Sequence, residues 1–317
     1  MDAANLDVVI SGGGPAGMML AWLLVRQGLQ VRVLEKHHDF LRDFRGDTVH
    51  PSTLDVLDAL GAGEAFARVP HDEVRELQAQ IGDQRFTVAD FSRLPGKHHA
   101  IWLVPQWDLL DFVADRIREI DADAVCLDTE VVDLVRDGGR VVGVRAVRDG
   151  QPLELRAQLV VGADGRGSVL RERLGWKVRS FGAPMDVLWF RLPKGDTDPP
   201  SSMFQARHGR ILVMLDRTDY WQIAFLVAKG GADRVRAEGL EPFREAILDA
   251  VPAFDEAQVD AIASWDAVKT LEVRIDRLDR WWDEGVLLIG DAAHAMSPIG
   301  GVGINLAVQD AVAAGRI

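Results

Sequence analysis

The stretch Gly285-Val-Leu-Leu-Ile-Gly-Asp-Ala-Ala-His-Ala-Met-Ser-Pro-Ile-Gly-Gly-Val-Gly-Ile-Asn305 says more about the fold than any other part of this 317-residue chain. It predicts a buried strand over 286–289, a turn at Gly290-Asp291, a second glycine-rich turn, and a helix that begins near Gly303. Asp291 stands where a strand end can offer a carboxylate to the hydroxyls of a polyol. The glycines after Pro298 allow backbone N–H groups at a helix N-terminus to approach a flat, electron-accepting ring. An ordinary strand, turn and helix with a capping aspartate would give the same pattern, so this stretch alone leaves both interpretations open.

A dinucleotide-binding signature stands near the N-terminus. Leu6–Ile10 predicts an apolar strand, and Ser11-Gly-Gly-Gly-Pro-Ala-Gly17 leads from it into a helical run over 18–27. Its first, third and fourth glycines allow, in turn, a tight turn, the approach of a pyrophosphate, and close packing of helix on strand. Glu35 ends the second predicted strand 18 residues after Gly17, where an acidic side chain hydrogen-bonds a ribose diol. No Gly-Lys-Ser/Thr follows, which excludes a phosphate-binding P-loop.

A third signature lies between these two. Gln158-Leu-Val-Val-Gly-Ala-Asp-Gly-Arg-Gly-Ser-Val-Leu-Arg171 predicts a buried strand that meets Asp164-Gly165, followed by a helix over 168–174. With the three signatures in this order and at about these separations, the chain resembles the class A flavoprotein monooxygenases. These are aromatic hydroxylases of the p-hydroxybenzoate hydroxylase and ubiquinone-hydroxylase type. The resemblance covers essentially the whole chain, and it is more specific for the flavin fold than for the reaction.

The resemblance implies an α/β fold in which a Rossmann-like FAD-binding domain of the GR2 type is interleaved with a smaller antiparallel-sheet substrate domain. We predict that 1–72, 101–182 and 276–317 form the FAD-binding domain, and that 73–100 and 183–275 form the substrate domain. A helix is predicted over Leu240–Val251. The substrate domain is otherwise predicted as strands, namely a hairpin around Gly82-Asp83 and the segments Val187–Leu192, Arg210–Leu215, Tyr220–Val227 and Ala267–Ile275.

The resemblance also indicates which residues hold the cofactor, FAD. Arg45 matches a family position whose arginine lies along the FAD pyrophosphate, with a surface arginine as the alternative. Gln106 occupies a position where the family commonly has an arginine or glutamine in contact with FAD. Asp164 ends a buried strand, where an unpaired carboxylate is rarely tolerated. The full set of expected cofactor-binding residues is Gly12, Gly14, Pro15, Ala16, Gly17, Glu35, Lys36, Arg45, Gln106, Asp164, Gly290, Asp291, Gly300, Gly301, Val302, Gly303, Ile304 and Asn305.

Side chains for catalysis and substrate binding are less well specified. Pro298 and His50 are the candidates beside the flavin, and a core or loop position is the alternative for His50. His294 belongs to the Asp-Ala-Ala-His run that is common in the family, and it is predicted to be structural. Five large side chains could line an apolar substrate pocket or form ordinary sheet core: Trp189, Phe190, Met203, Met214 and Trp221.

The reaction implied by the resemblance is oxygen insertion. NAD(P)H reduces FAD as a transient co-substrate, since the chain has no second glycine fingerprint. The reduced flavin then reacts with dioxygen, and the resulting flavin peroxide hydroxylates a small aromatic or polyketide-like substrate. The protein contributes positioning, electrostatics and exclusion of water.

Two other functions remain open. One is a flavin-dependent reductase or dehydrogenase that inserts no oxygen. The other is a truncated FAD-binding fragment with little turnover, because the helix after Asn305 stops without a convincing continuation and the chain is expected to be C-terminally short for this family.

Composition favours a soluble, cytoplasmic enzyme. The net charge of −13 argues against nucleic acid and anionic membrane surfaces as partners, and no apolar run reaches membrane-spanning length. The single cysteine, Cys126, lies in an apolar run and is predicted to be a buried thiol. The His37-His38 and His98-His99 pairs lack the spacing and the carboxylate neighbours of a metal site, so no metal is expected. The sequence leaves the oligomeric state unknown.

Overall fold

The computed structural model describes residues 6–41, 48–199 and 201–316. Within these ranges the helices are α1 (Pro15–Val25), α2 (Pro51–Ala59), α3 (Gly63–Phe66), α4 (Gln106–Arg118), α5 (Val169–Leu174), α6 (Ala232–Glu238), α7 (Leu240–Ala250), α8 (Glu256–Asp260) and α9 (Gly303–Ala314).

The strands in the same ranges are β1 (Leu6–Ser11), β2 (Val31–Leu34), β3 (Thr48–Val49), β4 (Asp72–Val74), β5 (Glu76–Ile81), β6 (Gln84–Asp90), β7 (Ile101–Leu103), β8 (Val125–Cys126), β9 (Thr129–Asp137), β10 (Arg140–Arg148), β11 (Gln151–Gly162), β12 (Val178–Ser180), β13 (Met185–Pro193), β14 (Met203–Arg207), β15 (Arg210–Asp216), β16 (Tyr220–Ala228), β17 (Lys269–Leu271), β18 (Asp276–Leu278), β19 (Trp282–Asp283), β20 (Val286–Leu288) and β21 (His294–Ala295).

The chain forms two compact units, each built from separate segments. Unit 1 comprises Met1–Gly46, Pro105–Gly182 and Arg274–Ile317, and unit 2 comprises Asp47–Val104 and Ala183–Val273. The borders differ most from the predicted domain segments over 47–72. β3 lies in that stretch and β4 begins at its last residue, and both pair with β7, so the three short strands belong to one small sheet of unit 2. Which unit holds FAD and which holds the substrate stays a prediction.

Unit 1 is organised by a parallel sheet. Its strand order is β19-β20-β11-β1-β2-β8, and the pairs from β20 to β8 are parallel, whereas β19 is antiparallel. β1 is almost entirely buried, which explains its nearly continuous apolar sequence. The register joins Ser11 to Leu34 on one side and to Gly162 on the other, and Gly162 to Leu288. The carboxyl ends of four parallel strands therefore meet at one edge of the sheet.

Unit 2 contains a seven-stranded sheet of order β17-β13-β16-β15-β14-β5-β6. The prediction of an antiparallel sheet holds for every pair of neighbouring strands except β14 and β5, which pair in parallel. These two strands come from different segments of the chain, so no tight turn forces them to run in opposite directions. One face packs on α6, α7 and α8, and the alternating residues of that face form a buried core with Phe243 and Ile247 of α7.

The predicted strand over Ala267–Ile275 is mostly wrong. A 3₁₀ turn occupies Trp265–Ala267, and only β17 pairs with β13. Pairing ends at Leu271, and the Val273 N–H donates instead to the buried Asp186 carboxylate at 2.9 Å. A side chain from another strand thus takes the backbone donor that would have continued the ladder. The strand β14 was not predicted at all.

Candidate cofactor site

The glycine-rich turn after β1 is tied to the end of β2. Gly12 has φ +107°, and its N–H donates to the Leu34 carbonyl at 2.9 Å. A Cβ at Gly12 would lie 2.7 Å from the Ala163 carbonyl carbon, so no larger residue fits. The Gly13 N–H donates to Glu35 Oε2 at 2.8 Å, and the His37 N–H donates to Oε1 at 3.0 Å. Glu35 is therefore buried and oriented by the backbone before any ligand binds.

The N-terminus of α1 is open to a ligand. Gly14 is its N-cap residue, no side chain caps it, and a Cβ at Gly14 would meet nothing within 4 Å. A Cβ at Gly17 would instead collide with the Gly12 carbonyl oxygen, which confirms the close helix–strand packing expected of this glycine. The first N–H groups of a helix lack partners within the helix and favour an anion. Free donors beside open space fit a pyrophosphate.

The Gly290-Asp291 turn lies beside α1 and α9. Gly290 has φ +58°, and a Cβ there would lie 3.1 Å from the Ala16 Cβ. The Asp291 side chain is 44% exposed, and its Oδ2 is 3.7 Å from Arg166 Nε. An accessible carboxylate at a strand end is suited to a polyol hydroxyl, and that contact stays a prediction for this motif. Arg166, from the segment after β11, was not among the predicted site residues.

Asp164 has a second task that the sequence did not suggest. Its Oδ2 accepts hydrogen bonds from the Val169 N–H at 2.8 Å and the Leu170 N–H at 3.3 Å, so it caps α5. Its Oδ1 is buried without a hydrogen-bond partner. Burial raises the pKa of the Asp164 carboxyl above its ordinary value. Contact with the cofactor remains a prediction, for which the orphan oxygen is the available acceptor.

The turn before α9 is shaped by two glycines. A 3₁₀ turn occupies Ile299–Gly301, where Gly300 and Gly301 have φ +79° and +60°. Val302 is the N-cap residue of α9, and no side chain caps the helix. The buried Asn305 donates from Nδ2 to the Gly301 carbonyl at 3.2 Å, which holds the turn against the helix. The N-terminus of α9 is therefore held in place by its own turn, without a capping side chain.

The structure places the remaining predicted residues as follows. Pro15 is the first residue of α1, Lys36 is exposed, and Gln106 is the half-buried first residue of α4. Pro298 precedes the 3₁₀ turn of unit 1, whereas His50 is the half-buried N-cap residue of α2 in unit 2. Ile304 is buried in the first turn of α9. Arg45 lies outside the described residues. The catalytic roles of Pro298 and His50 stay predictions.

Asp310 is a residue of this region that sequence reasoning missed. Its Oδ2 accepts from the Gly290 N–H at 2.8 Å and lies 2.7 Å from His294 Nε2. His294 is thus part of a structural contact, as predicted. A signal for Asp310 was present, because it is the one acidic residue of the apolar helix α9, and a carboxylate in such a helix needs a partner.

One group of possible metal ligands differs from the prediction. Ligand atoms of Asp55, Asp58 and His98 lie within 4.8 Å of one another, so His98 does have carboxylate neighbours. These carboxylates, Asp55 and Asp58, belong to α2 and are distant from His98 in the sequence. Lys97 Nζ already contacts Asp58 at 2.9 Å, so the charge of that carboxylate is compensated.

Cys126 is buried, as predicted. None of the helices in the described ranges has the length and apolarity to cross a membrane.

Comparison with known sequences identifies the family of this chain. The FAD binding domain family matches residues 5–317. This chain belongs to the FAD-dependent monooxygenases. The 6-methylpretetramide 4-monooxygenase of Streptomyces rimosus is 35% identical over 99% of this chain and 75% of its own length. A flavin-dependent monooxygenase of Mycobacteroides abscessus is 30% identical over 96% of this chain and 66% of its own length.

Solved monooxygenase structures agree with the fold. The crystal structure of pqsL, a probable FAD-dependent monooxygenase from Pseudomonas aeruginosa, matches with a TM-score of 0.82 and 26% identity. That match covers 99% of this chain and 85% of the other. The anhydrotetracycline hydroxylase OxyS from Streptomyces rimosus matches with a TM-score of 0.77 and 26% identity, over 98% of this chain and 61% of the other. The predicted family, α/β fold and FAD cofactor are confirmed.

Proposed function

We propose that this FAD-dependent monooxygenase consumes NAD(P)H and dioxygen to hydroxylate a small aromatic or polyketide-like molecule. One observation carries the proposal: the glycine turn after β1, Glu35 and the Gly290-Asp291 turn follow neighbouring strands at one edge of the parallel sheet of unit 1. The N-terminus of α9, which no side chain caps, belongs to the same unit. Two of the relatives are named for compounds of this class, 6-methylpretetramide and anhydrotetracycline.

Each part of this edge has a separate role toward FAD. Glu35 accepts from the ribose hydroxyls, the N-terminus of α1 donates to the pyrophosphate, and Asp291 accepts from the ribityl chain. When bound, FAD supplies two-electron transfer from NAD(P)H and the activation of dioxygen. When FAD is bound, a ring placed at the N-terminus of α9 would be favoured in a negatively charged state by about 0.3–2 kcal/mol.

Unit 2 offers a surface suited to a flat apolar substrate. Of the five candidate pocket residues, four lie in the core that packs on the helices: Phe190, Met203, Met214 and Trp221. Trp189 alternates with Leu188 and Phe190 along β13, so it lies on the opposite face of the sheet. That face also carries the half-buried apolar side chains Phe204, Val213 and Leu226, whereas Leu215 on the same face packs on the small core of Val74, Ile101 and Leu103.

Two polar features of this second face bear on the substrate. The Trp189 Nε1 donor is buried without a hydrogen-bond partner. Gln222 is buried on the same face, and its Oε1 accepts from Arg217 Nε at 3.2 Å and Nη2 at 3.1 Å. A buried N–H left unpaired costs about 1–3 kcal/mol, and a substrate carbonyl or phenolic oxygen would remove that cost. We therefore propose that the substrate presents an oxygen acceptor to Trp189.

Because NAD(P)H is abundant in the cytoplasm, we place the enzyme there.

The test is isotopic. The protein reconstituted with FAD is mixed with NADH or NADPH, labelled dioxygen, and a panel of phenols, quinone precursors and polyketides. We expect a substrate on the panel to accelerate NAD(P)H oxidation and to gain one labelled oxygen atom. Accelerated oxidation with a reduced, unlabelled product would instead identify a reductase, and an unlabelled, dehydrogenated product formed without NAD(P)H consumption would identify a dehydrogenase. Gly12→Val is the matched control, since it blocks the turn after β1 and should abolish flavin binding and oxidation together.

A further inference from the structure

The Asp310 carboxylate contacts two residues of the segment that follows β20, Gly290 and His294. Its Oδ2 accepts from the backbone N–H of Gly290 and contacts the imidazole of His294, at 2.8 and 2.7 Å. The side chains of His294 and Asp310 are only 18% and 19% exposed, so solvent screens the pair weakly. Gly290 immediately precedes Asp291. The contact therefore fixes the backbone from which Asp291 projects.

His294 is in turn held by the strand beside it. β21 pairs with β18, which sets Arg277 opposite His294, and the Trp281 ring stacks on the imidazole at 4.9 Å and 27°. The charged groups that face His294 are Asp310 of α9, Asp291 of the turn and Arg277 of β18. The hydrogen bond to Asp310 raises the pKa of His294, and the charges of Asp310 and Asp291 raise it further. Burial and the charge of Arg277 lower the pKa, but by less.

We infer that Asp310 is a positioning residue that sets the Gly290-Asp291 turn for FAD, acting through the Gly290 N–H and through His294. The inference rests on the proposed FAD site, in which Asp291 accepts from the ribityl chain. Asp310 itself need not touch the cofactor. Its effect is to keep the turn in the one conformation from which the Asp291 carboxylate is correctly placed.

A dependence on pH follows from the direction of the His294 shift. The pKa of His294 in the folded protein lies above its ordinary value of 6.5, so His294 is protonated below 6.5 and the charge-assisted bond to Asp310 is then complete. As the pH rises through the raised pKa, that bond becomes a neutral one. The Gly290 N–H bond persists, so the turn loosens without being lost. FAD retention should therefore fall over this interval.

The experiment measures FAD binding by apoprotein through flavin fluorescence, from about pH 5.5 to about pH 9. For the wild type we expect the Kd to rise roughly threefold to tenfold across this range. Asp310→Asn should weaken binding on the order of tenfold at low pH and flatten the pH dependence. His294→Gln should flatten it as well, while keeping the Gly290 bond and hence a smaller loss. The melting temperature of each apoprotein reports separately on folding.

The matched control is Asp121→Asn. It removes a partly buried ion pair of the same unit, with Arg32 at 2.8 Å, at similar exposure but remote from this turn in sequence. We expect it to leave the FAD Kd and its pH dependence unchanged. If the wild type binds FAD while Asp310→Asn and His294→Gln keep its affinity and pH profile, the positioning role is wrong and the proposed function stands. If the wild type binds no FAD at any pH, the proposed function itself fails.

Discussion

The strand-end edge of unit 1 and the second sheet face of unit 2 solve different recognition problems. At the edge, backbone N–H groups and fixed carboxylates meet where strands end, and Glu35 is already bound to two N–H groups. On the sheet face, side chains from the middles of strands form an apolar surface with one orphan donor, Trp189. Backbone geometry suits a ligand that never changes, such as a cofactor. Side chains can vary without altering the fold, which suits a substrate that differs among related enzymes.

The largest effect should come from Glu35. Glu35→Ala removes the acceptor of the Gly13 and His37 N–H groups as well as the ribose contact, so we expect FAD affinity to fall by about a hundredfold or more. Glu35→Gln, which retains one side-chain oxygen, should lie between this variant and the wild type. Equilibrium flavin binding measures both. Near-normal binding by Glu35→Ala would mean that the edge does not recognise the cofactor as described.

Asp291 should follow. Its side chain is 44% exposed, so the carboxylate is accessible to a ligand. Asp291→Ala should cost on the order of 1.5–3 kcal/mol of FAD binding with little change in apoprotein melting. A large drop in melting temperature with unchanged affinity would make Asp291 a structural residue.

Trp189 tests the other side of the comparison. Trp189→Phe keeps a ring on β13 but removes the buried N–H, so FAD affinity should not change. We expect kcat/KM for the preferred substrate to fall about tenfold. Trp221→Phe is an instructive control, because its Nε1 donates to Asp198 within unit 2 at 2.6 Å and its loss should lower stability. Equal kcat/KM values for Trp189→Phe and the wild type would remove the proposed substrate contact.

The smallest effect is expected at Asp164, where the two kinds of role overlap. Asp164→Ala should lower the free energy of unfolding by about 1 kcal/mol through the lost cap on α5. Because burial raises the pKa of Asp164, its contribution to stability is complete below the ordinary value of 3.8 and declines as pH rises through the raised pKa. Asp164→Asn lacks this titration, so its free energy of unfolding relative to that of the wild type should increase as the pH rises from 3.8 through the raised pKa. Denaturant unfolding at several pH values measures the difference, and a gap that does not change with pH would contradict it.

The same contrast explains what the sequence could predict. The turns after β1 and β20 were located correctly because glycine spacing and strand ends follow from local geometry. Asp310 and Arg166 were missed because their partners lie in other segments, and only the folded chain brings them together. Trp189 and Trp221 looked alike in the sequence, since alternation along a strand says which residues share a face but not which face meets the helices. The parallel β5–β14 pair likewise joins segments that no local pattern connects.

The strand order of unit 1 also sets how this protein can be made. β1 emerges from the ribosome early, but it pairs with β11, and β11 must wait for β20, which is encoded about 280 residues after β1. Until then the nascent chain exposes the buried, apolar end of β11, Val160, Val161 and Gly162, which pairs with β20 in the folded protein. Pairings so distant in sequence fold slowly. Slower translation or lower temperature should therefore raise the yield of correctly folded protein during expression, and chaperone demand should be concentrated on the interval before β20 is synthesised.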